Sequence, residues 1–424
     1  MIDREPSCED VDEPVLLPVS EARQRIAAAL SPLTESLRLP IGEALGRVLS
    51  ESLHAPHDVP AAANSAMDGY ALCRSSIPTR GEVKLQLLGT AWAGRPFAGS
   101  VAQGQAVRIF TGALIPAGAD TVVIQERAQE EGDGVLIDYE VEAGRNVRAA
   151  GEDVAAGDEI LSKGRCLEAA DIGVLASLGV DRVAVVRRPR VAFFTTGDEL
   201  QALAPGNDGA TAPYGKLFDS NRFTLAALLE SAGVEAIDLG IVPDEADMTR
   251  QILLQAASRA DVVITSGGIS AGDADYVTRA FHAIGDVAFW KIAMRPGRPL
   301  AFGHIGDAAF FGLPGNPVAV MVTFLQFVQP ALRRLLGRVD IDPLTLPARC
   351  LSSLRKSAGR VEYQRGVMRV DAGAIVVEST GKQGAGRLSS MSSANCLIVI
   401  GAEVSHVSPG DTVDVQPFRG LLSG

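Results

Sequence analysis

Acidic side chains follow three predicted β-strands at the points where those strands end. Asp198 and Glu199 come at the end of the run VAFFTTG, and Asp244 follows IDLGIV. Asp273 and Asp275 come directly after DVVITSGGISAG. Carboxylates in such loops can hold a divalent cation, but Asp and Glu are also favoured at helix N-termini, where they act as caps. For any single loop, both interpretations remain open.

The glycine loop TSGGISAG lies between the third strand and its acids. Gly267 and Gly268 would let backbone N–H groups converge on an anion, while Ser266 and Ser270 offer hydroxyls. The loop lacks the lysine of a P-loop and does not match GxGxxG. A tight strand-to-helix turn is therefore as well supported as an anion site.

Two stiff loops carry groups suited to oxyanions. FWKIAMRPGRPLAFG contains Lys291, Arg295 and Arg298, and its prolines prevent a continuous helix, so the two arginines are expected on a fixed turn. A solvated basic turn is the alternative to an anion clamp. The second loop, GLPGNP, would present a rigid helix N-terminus to an anion. Its candidate binding residues are Pro314, Gly315, Asn316 and Pro317.

Three further segments contain polar residues in turn-rich settings. They are NSAMDGYAL, FTGALIPAGAD and GEDVAAGDEI, which include Asp68, Thr111 and Asp153, respectively. Asp-Gly by itself is most often a turn. Taken singly, each segment is structural more often than functional.

Hydrophobic periodicity predicts the elements that must position these groups. Between residues 190 and 337, strands alternate with helices, which predicts a parallel, doubly wound sheet with ligand loops at the carboxyl ends of its strands. The last helix of this region would begin at Pro317 and stop at Gly337. Residues 55–148 form short β-rich runs with glycine turns, and the chain beyond residue 338 is again β-like and suggests a small barrel.

The N-terminal third contains two helical segments that are far apart in the chain. Ser20 would cap a helix through roughly Leu30. The apolar segment AADIGVLASLGV could pack back on that helix and so make one domain from two separated pieces.

Composition limits the classes of partner. The length of 424 residues favours about three domains. The net charge of −12 argues against nucleic acid or an anionic membrane as the main partner. Five scattered cysteines without zinc spacing favour a reducing, cytoplasmic compartment. The acidic N-terminus is not a signal peptide, and no apolar run is long enough to span a bilayer.

Taken together, nine segments resemble the molybdopterin molybdenumtransferase family of the MoeA type, which includes the E domain of gephyrin. One such segment would be weak support, but nine in the order of the family are highly specific. The segments are SAMDGYAL, FTGALIPAGAD, GEDV, TTGDEL, FDSNRFTL, LGIVPD, TSGGISAGDADY, FWKIAMRPGRPLAFG and FGLPGNPV.

The resemblance implies a multidomain, elongated subunit that forms a homodimer, in the class α/β plus β. Its implied parts are a split mixed α/β domain (15–54 and 149–189), a β-rich domain (55–148), a doubly wound α/β catalytic domain similar to molybdopterin-binding proteins (190–337), and a C-terminal β-barrel (338–424).

The resemblance also implies a reaction. Adenylylated molybdopterin and molybdate would be the substrates, Mg²⁺ the cofactor, and AMP and molybdenum cofactor the products. The enzyme would be cytoplasmic, with the preceding adenylyltransferase and recipient molybdoenzymes as partners. No nucleophile from the protein is required, which agrees with the absence of a Cys–His or Ser–His pair from these motifs.

Site residues can be carried over from the family where the motifs match. The catalytic residues implied in this way are Asp68, Thr111, Asp153, Asp244, Asp275 and Lys291. Glu199 and Asp275 would hold Mg²⁺, and Asp273 would remain a helix cap. The residues implied in binding pterin, phosphate or molybdate are Ser220, Ser266, Gly267, Gly268, Ser270, Arg295, Arg298, Pro314, Gly315, Asn316, Pro317, Arg365 and Ser390. Asp68 and Thr111 would come from the partner subunit across the dimer cleft.

The chain departs from the family at four positions. Arg295 and Arg298 stand where many relatives have lysine, Ala319 lacks a serine hydroxyl, and Ser392 replaces an arginine of some relatives. These changes bear on the molybdate contacts and not on the reaction class. The sequence leaves open whether tungstate is also accepted. Two alternatives are a molybdopterin-binding scaffold and a nucleotide-binding sensor. The retained acids count against the scaffold, and the retention of Asp68 and Thr111 outside the α/β region counts against the sensor.

Overall fold

The computed structural model describes residues 16–137, 141–204, 206, 209, 211–268 and 284–418. Within these ranges, no helix is both long and apolar enough to cross a membrane. The helices are Val19–Ala29, Ala169–Ser177, Ser220–Ser231, Ala246–Ala257, Pro317–Thr323, Phe324–Val328 (a π-helix), Gln329–Leu335 and Leu388–Ser392. Three short 3₁₀ turns are Ile41–Glu43, Arg74–Ser76 and Gln125–Arg127.

A six-stranded sheet forms the centre of the α/β part. Its strands, in spatial order, are Glu235–Val242, Arg190–Thr196, Val262–Ser266, Ala308–Leu313, Pro299–Ile305 and Asp286–Lys291. The first four run parallel, as predicted, whereas the last two pair antiparallel. The prediction of a parallel sheet is therefore wrong at this edge, because the short connections there leave no room for a crossover helix.

Side chains on the central strands alternate between two hydrophobic clusters, one on each face of the sheet. Phe193 and Phe311 belong to one cluster, while Phe194 and Phe310 belong to the other. All four are fully buried. Since both faces are covered, the sheet presents its functional groups only at strand ends.

The last helix of the α/β part begins at Pro317 and ends before Gly337, as predicted. Gly337 has φ +69°, the left-handed conformation typical of a helix stop. The periodicity did not predict that Phe324–Val328 is π-helical. Gln326 in this segment is fully buried; its carbonyl oxygen accepts from Arg23 Nε at 2.9 Å, and its Nε2 donates to Gln416 Oε1 at 2.9 Å.

The first helix, Val19–Ala29, packs on that last helix. Its buried residues Val19, Ala22 and Ile26 lie in the same hydrophobic cluster as Leu332, whereas Leu175 of Ala169–Ser177 lies in a separate cluster. The two N-terminal helical segments therefore do not share a hydrophobic cluster, and the prediction that they pack on each other is wrong. Ser20 is not the N-cap either, because the carbonyl of Pro18 accepts the first helical N–H, from Ala22, at 3.0 Å.

The two separated N-terminal pieces pair through strands instead. Ser36–Pro40 pairs with Arg182–Val186, and Leu53–His54 pairs with Glu159–Leu161. Between them lies a six-stranded β-rich sheet. Its strands, in spatial order, are Thr121–Ile124, Gly69–Leu72, Gln105–Ile109, Val83–Ala91, Gly134–Ile137 and Ala128–Glu131. A small ladder joins Asn64–Ser65 to Val147–Arg148.

The C-terminal part contains a closed five-stranded barrel, as predicted. Its strands, in order around the barrel, are Val361–Asp371, Ala374–Ser379, Leu346–Cys350, Thr412–Pro417 and Cys396–Ile400. Met294–Arg295, which precedes the barrel in the chain, pairs in parallel with Val361–Glu362. Minor pairs are Leu354–Arg355 with His406–Val407, and Leu200–Gln201 with Leu217–Phe218. The predicted combination of α/β, β-rich and barrel parts is confirmed.

Ion pairs of Arg187 lie at the start of two strands of the α/β sheet, Arg190–Thr196 and Val262–Ser266. Arg187 donates two hydrogen bonds of 2.7 Å each to Asp261 and one of 2.8 Å to Glu35. Burial alone would raise the pKa of Asp261, but the hydrogen bonds from Arg187 and from the backbone N–H of Arg190 more than offset this and lower it. The carboxylate therefore stays ionised well into acid.

Replacing Arg187 with alanine is expected to lower the free energy of unfolding by about 2–4 kcal/mol, because it leaves a largely buried carboxylate unpaired. Arg190→Ala is the matched control. Arg190 makes only an exposed pair with Glu235 at 3.8 Å, so its loss should cost less than about 1 kcal/mol. Urea titration of both variants provides the measurement. Because the folded pKa of Asp261 is lowered, its contribution should be present above its ordinary pKa near 4 and disappear as pH falls through the folded value.

Candidate active site

The loops at the carboxyl ends of the parallel strands are tied together by short contacts. The Thr196 hydroxyl donates to Asp244 Oδ1, which joins the loops after two neighbouring strands. Gly267 has φ +99°, and a Cβ there would lie 2.4 Å from the carbonyl oxygen of Thr196. Gly268 is also left-handed, with φ +64°. The predicted strand-end loops therefore meet, and the glycine loop requires residues without side chains.

Asn221 connects the glycine loop to the loop that opens the last helix. Its Nδ2 donates to Ser266 Oγ at 3.0 Å and to the Gly315 carbonyl oxygen at 2.7 Å. Ser266 Oγ in turn donates to the Pro314 carbonyl oxygen at 3.1 Å. Asn221 was not among the site residues predicted from the sequence. Its position after the capping residue of a helix, at a ligand edge, was the available signal.

Two buried acceptors in this region have no partner in the described part of the chain. They are Asn221 Oδ1 and Thr265 Oγ1. A buried polar atom without a partner costs free energy unless water or a ligand satisfies it. Asn221 Oδ1 is therefore a candidate acceptor for a substrate N–H or O–H.

The helix Ser220–Ser231 starts at the same edge. Its N-cap, Asp219, is buried and accepts from the Thr195 hydroxyl and from the backbone N–H of Arg222 at 3.1 Å. Ser220, the first helical residue, is exposed. The helix N-terminus adds positive potential next to the glycine loop.

Of the two expected magnesium ligands, one lies within the described residues. Glu199 is exposed on the turn after Arg190–Thr196, and no hydrogen bond to its carboxylate is seen within the part of the chain that the structure describes. Asp275, with Asp273 and Ser270, lies outside the described residues. The described ranges contain no group of three His, Cys, Asp or Glu side chains that could form a complete metal site. The exposed carboxylate of Glu199 is a donor of the kind that Mg²⁺ takes together with substrate phosphates.

The basic segment forms a fixed turn, as predicted. Lys291 ends an edge strand of the sheet, and the carbonyl oxygen of Arg298 accepts from the backbone N–H of Ile292 at 2.7 Å. Gly297 has φ +94°, and a Cβ there would lie 2.6 Å from Thr323 Cγ2, so the turn lies against the last helix. Arg295 and Arg298 are both exposed.

A cavity of about 530 Å³ lies between Arg295 of this turn and residues of the barrel. Its lining is polar and includes a second arginine, Arg355, that the sequence analysis did not name. The residues that line it include Arg295, Arg355, Glu362, Gln364, Ser379 and Gln383.

Arg365 of the barrel lies next to this cavity and is 1% exposed. Its Nε donates to Ser390 Oγ at 3.1 Å, and its Nη2 donates to the Gly384 carbonyl oxygen at 3.3 Å. Burial lowers the pKa of Arg365, as does the positive charge of Arg295, although Glu362 opposes the shift. Arg365, Ser390 and Arg295 are thus brought together at the junction of barrel and α/β part.

The helix that follows the PGNP loop also reaches the barrel. The backbone N–H of Val318 donates to the Ala385 carbonyl oxygen at 3.1 Å. Ala319, one of the departures from the family, is buried, while Ser392 is exposed at the end of a short barrel helix. The loop Pro314–Pro317 is therefore held between the glycine loop on one side and the barrel on the other.

Asp68 and Thr111 form a second polar site in the β-rich part. The backbone N–H and the hydroxyl of Thr111 both donate to Asp68 Oδ1 at 2.8 Å. These two hydrogen bonds, in that order, lower the pKa of the half-buried Asp68. Asp153 is exposed, and among the described residues only its backbone is seen to bond, to Val59. In the described residues none of the three bonds to the α/β edge.

Replacing Thr111 with valine is expected to raise the pKa of Asp68 towards its ordinary value, because the hydroxyl hydrogen bond is lost. The rise should be partial, since the backbone N–H remains. NMR titration of the Asp68 carboxyl carbon measures the change, and the acid limb of any activity profile should move to higher pH. Thr90→Val, at an exposed position of a neighbouring strand, should leave the Asp68 titration unaltered.

Three models of known protein families match this chain, one for each main part of the fold. The family model "Probable molybdopterin binding domain" matches residues 192–334, which contain the α/β sheet and its ligand loops. Models of the MoeA N-terminal region (domain I and II) and of the MoeA C-terminal region (domain IV) match residues 17–179 and 347–418. The fold and site thus define a MoeA-type protein with a molybdopterin-binding-like domain.

Full-length relatives make the assignment specific. The chain is 40% identical over 410 residues to the molybdopterin molybdenumtransferase of Haemophilus influenzae, covering 96% of this chain and 100% of the relative. It is 36% identical over 377 residues to the enzyme of that name from Nostoc, covering 87% and 85%. This chain belongs to the molybdopterin molybdenumtransferase family.

A solved structure agrees with the family assignment across the whole fold. The molybdopterin biosynthesis moeA protein from Pyrococcus horikoshii OT3 superposes with a TM-score of 0.85 at 27% identity, covering 95% of this chain and 100% of that protein. The resemblance inferred from the nine motifs is therefore confirmed at the level of the family.

Proposed function

We propose that this protein is a molybdopterin molybdenumtransferase that inserts molybdenum from molybdate into adenylylated molybdopterin and releases AMP. The supporting observation is the link through Asn221, which joins Ser266 of the glycine loop to Gly315. On the barrel side, Arg365 donates to the Gly384 carbonyl oxygen, and the neighbouring Ala385 carbonyl oxygen accepts from Val318 at the start of the last helix. An anionic, phosphate-bearing substrate fits this combination of helix N-termini and arginines. The names of the relatives agree with this activity.

In the proposed reaction, the protein positions groups and stabilises charge. Gly267, Gly268 and the loop Pro314–Pro317 would bind phosphate through backbone N–H groups. Lys291 and Arg298 would hold oxyanions, while Arg295, Arg365 and Ser390 would bind molybdate. Bound Mg²⁺, held by Glu199 and Asp275, would supply charge neutralisation at the phosphates. Positioning and electrostatic stabilisation of this kind can account for most of the catalysis of a phosphoanhydride cleavage.

In this proposal, a second subunit contributes residues to the site. Asp68, Thr111 and Asp153 do not bond to the α/β edge in the described residues, so a homodimer would supply Asp68 and Thr111 across the interface. The protein would act in the cytoplasm, receive its substrate from an adenylyltransferase and deliver cofactor to molybdoenzymes.

Purified protein incubated with adenylylated molybdopterin, molybdate and Mg²⁺ tests the proposed function. AMP release and reconstitution of an apo-molybdoenzyme are the two readouts. Both are expected with the complete mixture, and EDTA should suppress them. A complete mixture that gives neither AMP nor active cofactor contradicts the proposed function and would favour a binding or scaffold role.

A further inference from the structure

An ordered column of rings and one cation runs through the β-rich part. The guanidinium carbon of Arg108 lies 5.1 Å from the Tyr70 ring centroid and 5.4 Å from that of Phe110. The Phe110 ring stacks on Trp92 with centroids 4.1 Å apart and planes inclined by 10°. Stacking and cation–π contacts of this kind favour a defined ring orientation.

Hydrogen bonds fix the inner end of the column. Arg108 Nη1 donates to the Tyr70 hydroxyl at 2.7 Å and to Glu130 at 2.9 Å, and its Nη2 donates to Gln125 at 2.9 Å. Tyr70 is only 2% exposed. The column is therefore anchored in the core of the β-rich sheet.

Trp92 forms the outer end, and its side chain is half exposed, at 50%. Phe110 is its only ring partner among the described residues. Reciprocal backbone hydrogen bonds of 3.0 and 2.9 Å between Trp92 and Arg95 close a tight turn around Gly94, which has φ +75°. An exposed indole on a fixed backbone, stacked on one face, is a preorganised surface for another flat ring.

The column stands beside the Asp68–Thr111 pair. Phe110 directly precedes Thr111 in the chain, and the positive charge of Arg108 contributes to the lowered pKa of Asp68. Phe110 thus connects the exposed tryptophan to the polar pair. The substrate of the proposed reaction contains two flat heteroaromatic groups, the aminopyrimidinone ring of the pterin and the adenine.

We propose that the free face of Trp92 is a stacking platform for a planar heteroaromatic ring of the substrate, and that Trp92 is a substrate-binding residue of this enzyme. This inference rests on the proposed function. Either ring offers the same flat π-surface, so the stacking chemistry is shared and the source is decided by experiment. Stacking on an aromatic side chain is tolerant of ring identity but is lost when the ring is truncated.

Steady-state kinetics with adenylylated molybdopterin provide the first test. Trp92→Ala should raise KM by about ten-fold or more with a smaller change in kcat, and Trp92→Phe should restore most of the affinity. Leu37→Ala, at a site 49% exposed on another part of the molecule, is the matched control and should keep the wild-type KM. If Trp92→Ala keeps the wild-type KM, the inference is overturned. This holds even if sedimentation shows that the substitution weakens the association of subunits.

Intrinsic fluorescence provides a readout independent of turnover. The chain has two tryptophans, and Trp290 is 5% exposed, so a Trp290→Phe protein reports on Trp92 alone. Saturable quenching by AMP would assign the platform to adenine, and quenching by pterin-6-carboxylate would assign it to the pterin. Quenching by neither compound overturns the inference. Absence of AMP release by wild-type protein would contradict the proposed function instead, so the two failures are distinguishable.

Discussion

Replacing Gly267 with alanine is expected to reduce turnover by about 100-fold. The new Cβ would lie 2.4 Å from the Thr196 carbonyl oxygen, and the residue would have to keep φ +99°. Because the clash is with backbone, the glycine loop must move away from the strand Arg190–Thr196, and displacements of about 1 Å in a site can cost about 100-fold in rate. Single-turnover AMP release by the purified variant measures the effect.

Gly306→Ala separates this effect from the general strain of a left-handed alanine. Gly306 has φ +58° in the turn between the strands Pro299–Ile305 and Ala308–Leu313, but a Cβ there meets no atom within 4 Å. It should cost about 1 kcal/mol of stability and leave turnover near the wild-type value. Equal activity of the two variants would show that the glycine loop does not shape the site.

Replacing Arg365 with leucine is expected to lower the rate at limiting molybdate by about 100-fold, as for other preorganised donors to an anion. The guanidinium is almost fully buried, and its Nε hydrogen bond holds Ser390 at 3.1 Å. Removing it takes away a positive charge and leaves the Ser390 hydroxyl without that donor. Initial rates over a range of molybdate concentrations measure the loss.

Arg369→Leu, on the same strand, is the control for a general effect on the barrel. Arg369 makes an exposed ion pair with Glu378 at 3.6 Å, which contributes little to stability. Its activity should stay close to wild type. If Arg365→Leu retained full activity at limiting molybdate, the proposed anion contact in the barrel would be wrong.

The sequence predicted the parts of the fold that depend on local pattern. Strand–helix alternation located the α/β sheet, and the rule for strand ends located the loops that carry Asp244 and Ser266. The last helix could be bounded because Pro317 and Gly337 restrict the backbone directly. In each case the physical signal lies within a few residues of the feature.

Other features depend on contacts between distant residues, and a local pattern does not identify the partners. Asn221 bonds to Ser266 and Gly315, which are 45 and 94 residues away. Nothing near position 221 indicates those partners. The antiparallel edge of the sheet and the docking of the first helix on the last one have the same origin. The roles of Asp68, Thr111 and Asp153 came only from the resemblance and remain predictions.

The short strand Met294–Arg295 has a consequence for motion between the parts. Lys291 belongs to the α/β sheet, yet three residues later Met294 is hydrogen-bonded into the ladder of the barrel. The buried contact between Gln326 and Gln416 crosses the same junction. A hinge there would have to break a main-chain ladder and expose buried amides, so the arginine turn and Arg365 should travel as one rigid body. The β-rich part, by contrast, is connected to the rest of the chain only at its two ends, near residues 55 and 148. Opening for substrate exchange is therefore expected there.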